Sequence, residues 1–313
     1  MDGALADCNK AIELKPGFAA FYIDRGNVKR AKADLDGALA DYNKAIELES
    51  AFAEAYGNRG IVKQAKGDLD GALADYNKAI ELKPNLADSY ICRCRLKRTE
   101  GDLDGALADY NKAIELKPNS PEAYFNRGVA KADKGDDDEA IAGFTKAIEL
   151  NPKYAWAYRS RGFLYYDAHA FTNALADFRK ACELDAKAQD YSYFRIWLIR
   201  SNAGEQEAVT EELQTYLDNR KTGKPDDWPS KVGHFLTGQL VESDFFKATE
   251  NTNQKKDNEQ RCEAYFYAGS KRLIAGDKTT ATDYFEKCLA TDVKTFSEYR
   301  SAAAELKFLK ATK

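Results

Sequence analysis

Small and aromatic residues return every 34 positions along much of this chain, dividing it into five units: Ala19 to Phe52, Ala53 to Leu86, Ala87 to Ser120, Pro121 to Tyr154 and Ala155 to Ala188. The fourth residue of each unit is aromatic (Tyr22, Tyr56, Tyr90, Tyr124, Tyr158), and a small residue follows four places later (Gly26, Gly60, Cys94, Gly128, Gly162). Four residues make about one helical turn, so the pair shares a face and the aromatic has somewhere to pack. Later in the unit, Ala38, Tyr42 and Ala45 (Ala72, Tyr76, Ala79 in the next copy) stand at steps of four and three, an amphipathic stripe. Between the two stretches lie Gly67, Gly101 and Gly135, with Ala33 and His169 in the first and fifth units, where a helix would end in a left-handed residue. Pro84, Pro118 and Pro152 close units, and Ser120 before Pro121 reads as an N-cap with proline in the first turn. The pattern predicts two helices per unit with one apolar seam between them, and no strands.

The repeat is unevenly faithful. Gly67 to Pro84 and Gly101 to Pro118 are the same 18-residue string, so second helices are nearly copied while first helices vary. Residues 1–18 read as the second helix of an earlier unit whose first helix is absent, with Met1 where Leu35, Leu69 and Leu103 stand in later copies. The expectation is a chain that starts inside a longer protein. Residues 189–217 read as a degenerate unit, a helix pair around Ala203-Gly204 with Trp197, Leu198, Val209, Leu213 and Leu217 apolar. Residues 218–261 read as an irregular linker: a polar connection with Gly223, Pro225 and Pro229, short helices at Pro229 to Leu236 and Val241 to Thr249, then a charged loop around Asn251 to Asn258. Residues 262–313 restore the pattern through Tyr265, Gly269, Gly276, Ala281, Phe285 and Cys288, and end in a capping helix from about Phe296 to Leu309.

The spacing of aromatic, Gly, Gly, Ala, Tyr or Phe, Ala and Pro resembles the tetratricopeptide repeat (TPR), over residues 19–188. The resemblance implies an all-α fold, an α-solenoid of helix hairpins stacked in a right-handed superhelix, with the first helices lining a concave groove that receives a peptide, a helix or a whole partner. A second, narrower resemblance covers roughly the last 85 residues. Phe266-Tyr267-Ala268-Gly269, Leu273, Gly276-Asp277, Ala281-Thr282 and Phe285, then Val293, Phe296, Glu298, Arg300, Ala302 and Glu305-Leu306, look like the C-terminal part of the bacterial lipoprotein NlpI, which Trp228, Phe235 and Gly238 fit less tightly. It implies a homodimeric, extracytoplasmic adaptor for cell-wall hydrolases and a protease. Cys8 stands at the tyrosine position of a second helix and is not a lipid-bearing cysteine, so compartment stays open.

Charge and chemistry narrow the classes. Lysine plus arginine total 47 against 51 acids, a net charge of −4 with both signs dispersed, which argues against nucleic acid or an anionic membrane as partner. No apolar run reaches the roughly 20 residues a bilayer needs. The six cysteines form no C-x-x-C pair and mostly take apolar repeat positions, so they read as small buried hydrophobes. Of two histidines, His169 takes the turn position and His234 reads as a surface or half-buried residue, leaving no general base beside a nucleophile. The acidic run Asp136 to Glu139 reads as a helix start rather than a metal site. No enzyme activity, cofactor or metal is expected.

One polar pair recurs. Arg25, Arg59, Arg93, Arg127 and Arg161 hold the seventh place of every unit, and Asp41, Asp75, Asp109 and Asp177 the twenty-third place of four. They are expected to pair across the hairpin or to the adjoining unit, with arginine used for its planar fork, and Gly143 in place of the fourth acid sends Arg127 elsewhere.

TPR geometry turns the variable first-helix positions toward the groove. These are Ile23, Asn27 and Arg30; Ile61; Ile91, Arg95 and Arg98; Phe125 and Val129; and Trp156, Arg159, Phe163 and Tyr166, a mixed apolar and cationic set. Trp156, Phe163 and Tyr166 with Arg159 among them suit an interface hot spot, unless the sixth unit buries them. The three arginines of the first and third units favour an acidic peptide or a C-terminal carboxylate. The reading is a scaffold that binds a protein or peptide; the alternatives are the NlpI-like adaptor, and the regulatory part of an enzyme whose catalytic domain lies upstream.

Overall fold

In the first three complete repeats an Asp-Leu-Asp-Gly sequence starts the second helix. The carboxylates of Asp34, Asp68 and Asp102 accept from the backbone N–H of Gly37, Gly71 and Gly105 at 2.9 Å each, an N-cap that satisfies a donor the helix leaves free. The cap also favours the glycine, because with Oδ1 accepting the bond a Cβ there would lie 2.1–2.2 Å from the same carboxylate's Oδ2. At the preceding turn Gly67, Gly101 and Gly135 take φ near +85°, and Ala33 and His169 adopt φ of 62° and 56° at the same place.

The computed structural model describes residues 2–185, 189–220, 224 and 226–311. Met1, Ala188, Gly223 and Pro225, which mark boundaries in the sequence reading, lie outside them. No strand occurs among the described residues. The chain divides into two compact units, residues 1–143 and 144–313.

The first unit contains α1 (Asp2–Leu14), α2 (Ala19–Ala31), α3 (Leu35–Leu48), α4 (Ala53–Ala65), α5 (Leu69–Leu82), α6 (Ala87–Thr99), α7 (Leu103–Leu116) and α8 (Pro121–Lys134); α9 (Asp137–Leu150) contains the division. Successive helices pack as hairpins, α2 on α3, α4 on α5 and α6 on α7, and each hairpin stacks on the next. The stripe of Ala38, Tyr42 and Ala45, with its copies Ala72, Tyr76 and Ala79, has no solvent exposure. The packing partner of the small first-helix residue differs from the expectation. The ring beside Gly26 and Gly60 is Tyr42 and Tyr76 of the second helix, where a Cβ would come within 2.7 Å, and not the aromatic one turn earlier. Tyr22 instead donates to the Pro16 carbonyl at 3.0 Å and lies under the Arg25 guanidinium.

The arginine–aspartate pairs form within each hairpin. Arg25, Arg59, Arg93 and Arg161 each donate Nε and Nη2 to both oxygens of Asp41, Asp75, Asp109 and Asp177, at 2.6–2.9 Å, and the four carboxylates are buried. The third nitrogen reaches backward: Nη1 of Arg25, Arg59 and Arg93 donates to Asn9, Asn43 and Asn77 of the preceding second helix at 3.0, 2.9 and 2.7 Å. Lys29, Lys63 and Lys97 complete the carboxylate's shell at 2.8–3.1 Å. One guanidinium therefore closes its own hairpin and fastens it to the previous one.

The fourth repeat breaks this arrangement as Gly143 requires. A Cβ on Gly143 would stand 3.1 Å from both Gly128 Cα and the Tyr124 carbonyl, a tight contact with backbone that would have to give by a few tenths of an ångström to admit a side chain. Arg127 keeps only Asn111, at 3.2 Å, and the Tyr124 ring. Lys131 turns to Asp136 and Glu139, so the acidic run begins a helix and neutralises a lysine.

The second unit continues with α10 (Ala155–Asp167), α11 (Phe171–Leu184), α12 (Gln189–Asn202), α13 (Gln206–Asp218), α14 (Trp228–Thr237), α15 (Glu242–Lys247), α16 (Gln254–Ile274), α17 (Lys278–Ala290) and α18 (Ser297–Ala311). The expected loop at Asn251 to Asn258 is a correction. Asn253 caps α16 by accepting from Lys256 N–H at 3.1 Å, and the helix runs 21 residues from Gln254. Much of the region read as linker is helical and packed: Phe245 stacks between Trp228 and Phe235, with ring centroids 5.3 and 4.2 Å away and planes within 7°. Arg220 ties this segment to α12 by donating to Asp190 and Asp227. Cys94, Cys262 and Cys288 are buried and Cys8, Cys92 and Cys182 half-buried.

Asp75→Ala should destabilise the protein by about 3 kcal/mol in urea unfolding followed by circular dichroism, because it leaves a largely buried arginine without its carboxylate. Gly143→Asp, although it restores the repeat's acid opposite Arg127, should also lower stability, by about 1–3 kcal/mol, through the backbone clash. A stabilised Gly143→Asp variant would contradict the account of Arg127.

Candidate functional site

In the first unit α2, α4, α6 and α8 touch one another in sequence and present the variable positions. Ile23 is buried at 6% exposure and belongs to the core. Its α2 neighbour Asn27 accepts from the Tyr42 hydroxyl at 2.8 Å, just as Gln64 accepts from Tyr76 at 2.9 Å, so these amides satisfy the buried phenols of the second helices. Ile61 is half-buried against Ala72, Tyr76 and Leu96. Ile91, Phe125 and Val129 are also half-buried.

The arginines separate by partner. Arg98 donates to Asp133 at 2.8 Å. Among the described residues Arg95 is exposed and pairs with no acid, and Arg30 Nε is buried without a hydrogen-bond partner. Burial pushes the half-buried Cys92 thiol up, with Arg95 and Arg30 pulling it down and Asp88 opposing them. The acids flanking this face are engaged: Lys83 holds Glu54 at 2.6 Å and Lys117 holds Asp88 at 2.7 Å. The result is a face with free positive charge beside half-buried aliphatics.

In the second unit the four α10 residues part company. Trp156 is 41% exposed and Arg159 lies over its ring at 4.9 Å, over Phe163 at 5.5 Å and over Tyr191 at 5.8 Å. Burial among these rings holds Arg159 below the usual arginine range against the opposing charge of Glu298, and among the described residues no acid forms an ion pair with it. Phe163 is half-buried against the core, and Tyr166 is 4% exposed, its ring 6.5 Å from that of Phe266. Tyr166 and Ile23 are thus corrections to the proposed surface. In both, a neighbouring hairpin or the helices after α11 cover the side chain.

Sequence reasoning missed the group behind Phe163. Arg195 has no exposure and packs against Phe163, Tyr166, Phe266 and Tyr267, its Cζ 4.1–5.8 Å from the ring centroids. Its one carboxylate partner is Glu298, at 3.2 Å, and Nε and Nη1 have no hydrogen-bond partner among the described residues. Glu298 also accepts from the Tyr267 and Ser297 hydroxyls, at 3.1 and 2.9 Å. Glu263 accepts from Trp228 Nε1 at 3.0 Å, and burial together with the Glu298 charge pushes its carboxyl well above the usual range. The available sequence signal was one cation inside the apolar run Phe194 to Leu198.

A cavity of about 350 Å3 lies beside this core, lined by Tyr166, Leu198, Leu273, Glu305, Phe308 and others. His169, the turn residue, is at its rim: its ring stacks on Phe308 at 4.2 Å and Nε2 faces Glu305 Oε2 at 3.2 Å. His234 is half-buried in the last turn of α14. Among the described residues no group of three or more His, Cys, Asp and Glu is arranged to hold a metal ion, and no helix is long and apolar enough to cross a membrane.

Paired helices with a copied scaffold face and a variable outer face are hairpin repeats of the tetratricopeptide kind. Models described as TPR repeat match residues 26–67, 95–135 and 130–168, and one described as tetratricopeptide repeat matches residues 53–86, so these stretches are TPR repeats. Among individual proteins, the chain is 33% identical over 121 residues to the lipoprotein NlpI homolog of Haemophilus influenzae. That alignment spans 38% of this chain and 38% of the relative. A solved structure of Pseudomonas aeruginosa pilF shares the fold, with a TM-score of 0.57 at 16% identity over 68% of this chain and 95% of that one. YrrB, described as a TPR protein with an unusual peptide-binding site, aligns with a TM-score of 0.48 at 30% identity over 57% of this chain and 92% of its own.

The Glu305 hydrogen bond raises the His169 pKa, against an opposing effect of burial. The stabilisation this contact gives is complete below about pH 6.5, the unfolded value, and is lost as pH rises through the raised folded value. Thermal melts across that window should show a loss that disappears in His169→Asn, which tolerates the left-handed turn; an identical pH dependence in the variant would exclude this contact as its source.

Proposed function

We propose that this chain is a non-enzymatic scaffold whose first-helix surfaces bind a segment of another protein. One observation carries the reading: the first helices vary at outward positions while the second helices are copied, and those positions leave Arg95 and Arg159 without acid partners beside half-buried aliphatics and rings. An exposed tryptophan next to a desolvated arginine suits the centre of an interface, where aromatic and arginine side chains dominate binding energy. The scattered balance of 47 basic and 51 acidic residues favours a protein over a polyanion.

A second reading rests on the 121-residue likeness to the NlpI homolog. In that reading the chain is a homodimeric adaptor of the NlpI kind, working outside the cytoplasm, and the second unit is its self-association or enzyme-docking part.

Trp156→Ala and Arg95→Ala, each at an exposed position, should reduce the proteins retained in a quantitative pull-down by about tenfold while leaving helicity and melting unchanged. An unaltered set of retained proteins in both variants would overturn the groove assignment. Light scattering over a concentration series should give twice the 35.0 kDa chain mass if the adaptor reading holds, and the single-chain mass at every concentration if it does not.

A further inference from the structure

The aromatic cup around Arg159 recognises more than an apolar surface. Three rings, Trp156, Phe163 and Tyr191, surround its guanidinium at 4.9, 5.5 and 5.8 Å, and none of them offers it an anion. The acid that might have done so is taken. Glu298 Oε1 accepts from Arg195 and Tyr267, its Oε2 accepts from Ser297, and it forms no ion pair with Arg159. Arg195 shares the Phe163 ring with Arg159 and is completely buried, with Nε and Nη1 unmatched among the described residues, so two arginines stand beside a single carboxylate that pairs with only one of them. Arg159 is the member of the pair that reaches solvent, and Trp156 beside it is 41% exposed.

A desolvated cation with no counterion is costly, and a ligand carboxylate removes that cost through a charge-assisted, two-bond fork. We infer that Arg159 binds the side-chain carboxylate of a glutamate or aspartate within a partner's polypeptide, with a neighbouring apolar residue of that segment lying on the exposed face of Trp156. This rests on the scaffold reading and names the chemistry of its second-unit site. An internal acid suits the cup better than a chain terminus. Besides the guanidinium, the groups ranged around the cup are the rings of Trp156, Phe163 and Tyr191, which suit an apolar side chain better than a terminal backbone.

The test uses the full chain and three fluorescein-labelled heptapeptides read by anisotropy. The first carries a central Phe-Glu-Leu and is amidated at its C-terminus, the second replaces its glutamate by glutamine, and the third is the glutamine peptide with a free C-terminal carboxylate. The first should bind on the order of tenfold more tightly than the second. Arg159→Gln should erase that preference, and Arg159→Lys, which keeps the charge but not the fork, should retain part of it and guards against a folding defect in the glutamine variant. Equal binding of the first two peptides, a preference that survives Arg159→Gln, tighter binding by the third peptide, or no binding of any at millimolar concentration would each overturn the proposal. Failure of this inference alone would leave the pull-down sensitive to Trp156→Ala, whereas failure of the scaffold reading would leave it insensitive.

Discussion

One guanidinium with three directed nitrogens carries the repeat. In each regular unit Nε and Nη2 grip a buried aspartate of the same hairpin, and Nη1 reaches the asparagine of the hairpin before. Hydrophobic seams of alanine and tyrosine supply the driving force for pairing two helices, but alanine stripes are smooth and tolerate sliding. The arginine fork does not, because both carboxylate oxygens must meet both nitrogens at once. Intra-hairpin register and inter-hairpin stacking are thereby set by the same side chain.

That double duty explains why second helices are copied and first helices drift. A second helix presents Ala, Asp, Tyr and Ala to its own hairpin and asparagine to the next, so little of its surface is unconstrained. A first helix needs its arginine, its small residue and its inner face, and the outward positions remain open to change. Where the sequence departs from the pattern, the side chains find other duties. Thr145 stands in for asparagine at 2.9 Å from Arg161, and Tyr165 replaces the lysine and lies beside the same guanidinium.

The hairpins, their turns and the recurrent ion pairs were legible because they repeat, and a repeat averages out accidents of any single position. The second nitrogen bond was equally available in the recurrence of Asn43, Asn77 and Asn111, but its partner lies in another unit and periodicity alone does not say which. The candidate surface was half legible. Of the first-helix positions, Arg95 and Trp156 are exposed and Arg159 half-buried, whereas Ile23 and Tyr166 are covered by other helices, which position within one helix does not reveal. Arg195 and Glu298 lie 103 residues apart in elements that do not repeat, and no local pattern joins them.

The joint at Asn43, Arg59 and Asp75 has the same chemistry as the joint at Asn77, Arg93 and Asp109. A gene could therefore gain or lose a whole 34-residue copy at either joint by unequal recombination, and the arginine joint so formed would be one the protein already makes. Gly143 against Gly128 ends that freedom, because a seam where two glycines face each other in place of the arginine–aspartate pair has no interchangeable counterpart elsewhere among the described hairpins. The regular copies behave as a ruler whose length can be reset in fixed steps, and the fourth unit is the stop at its end.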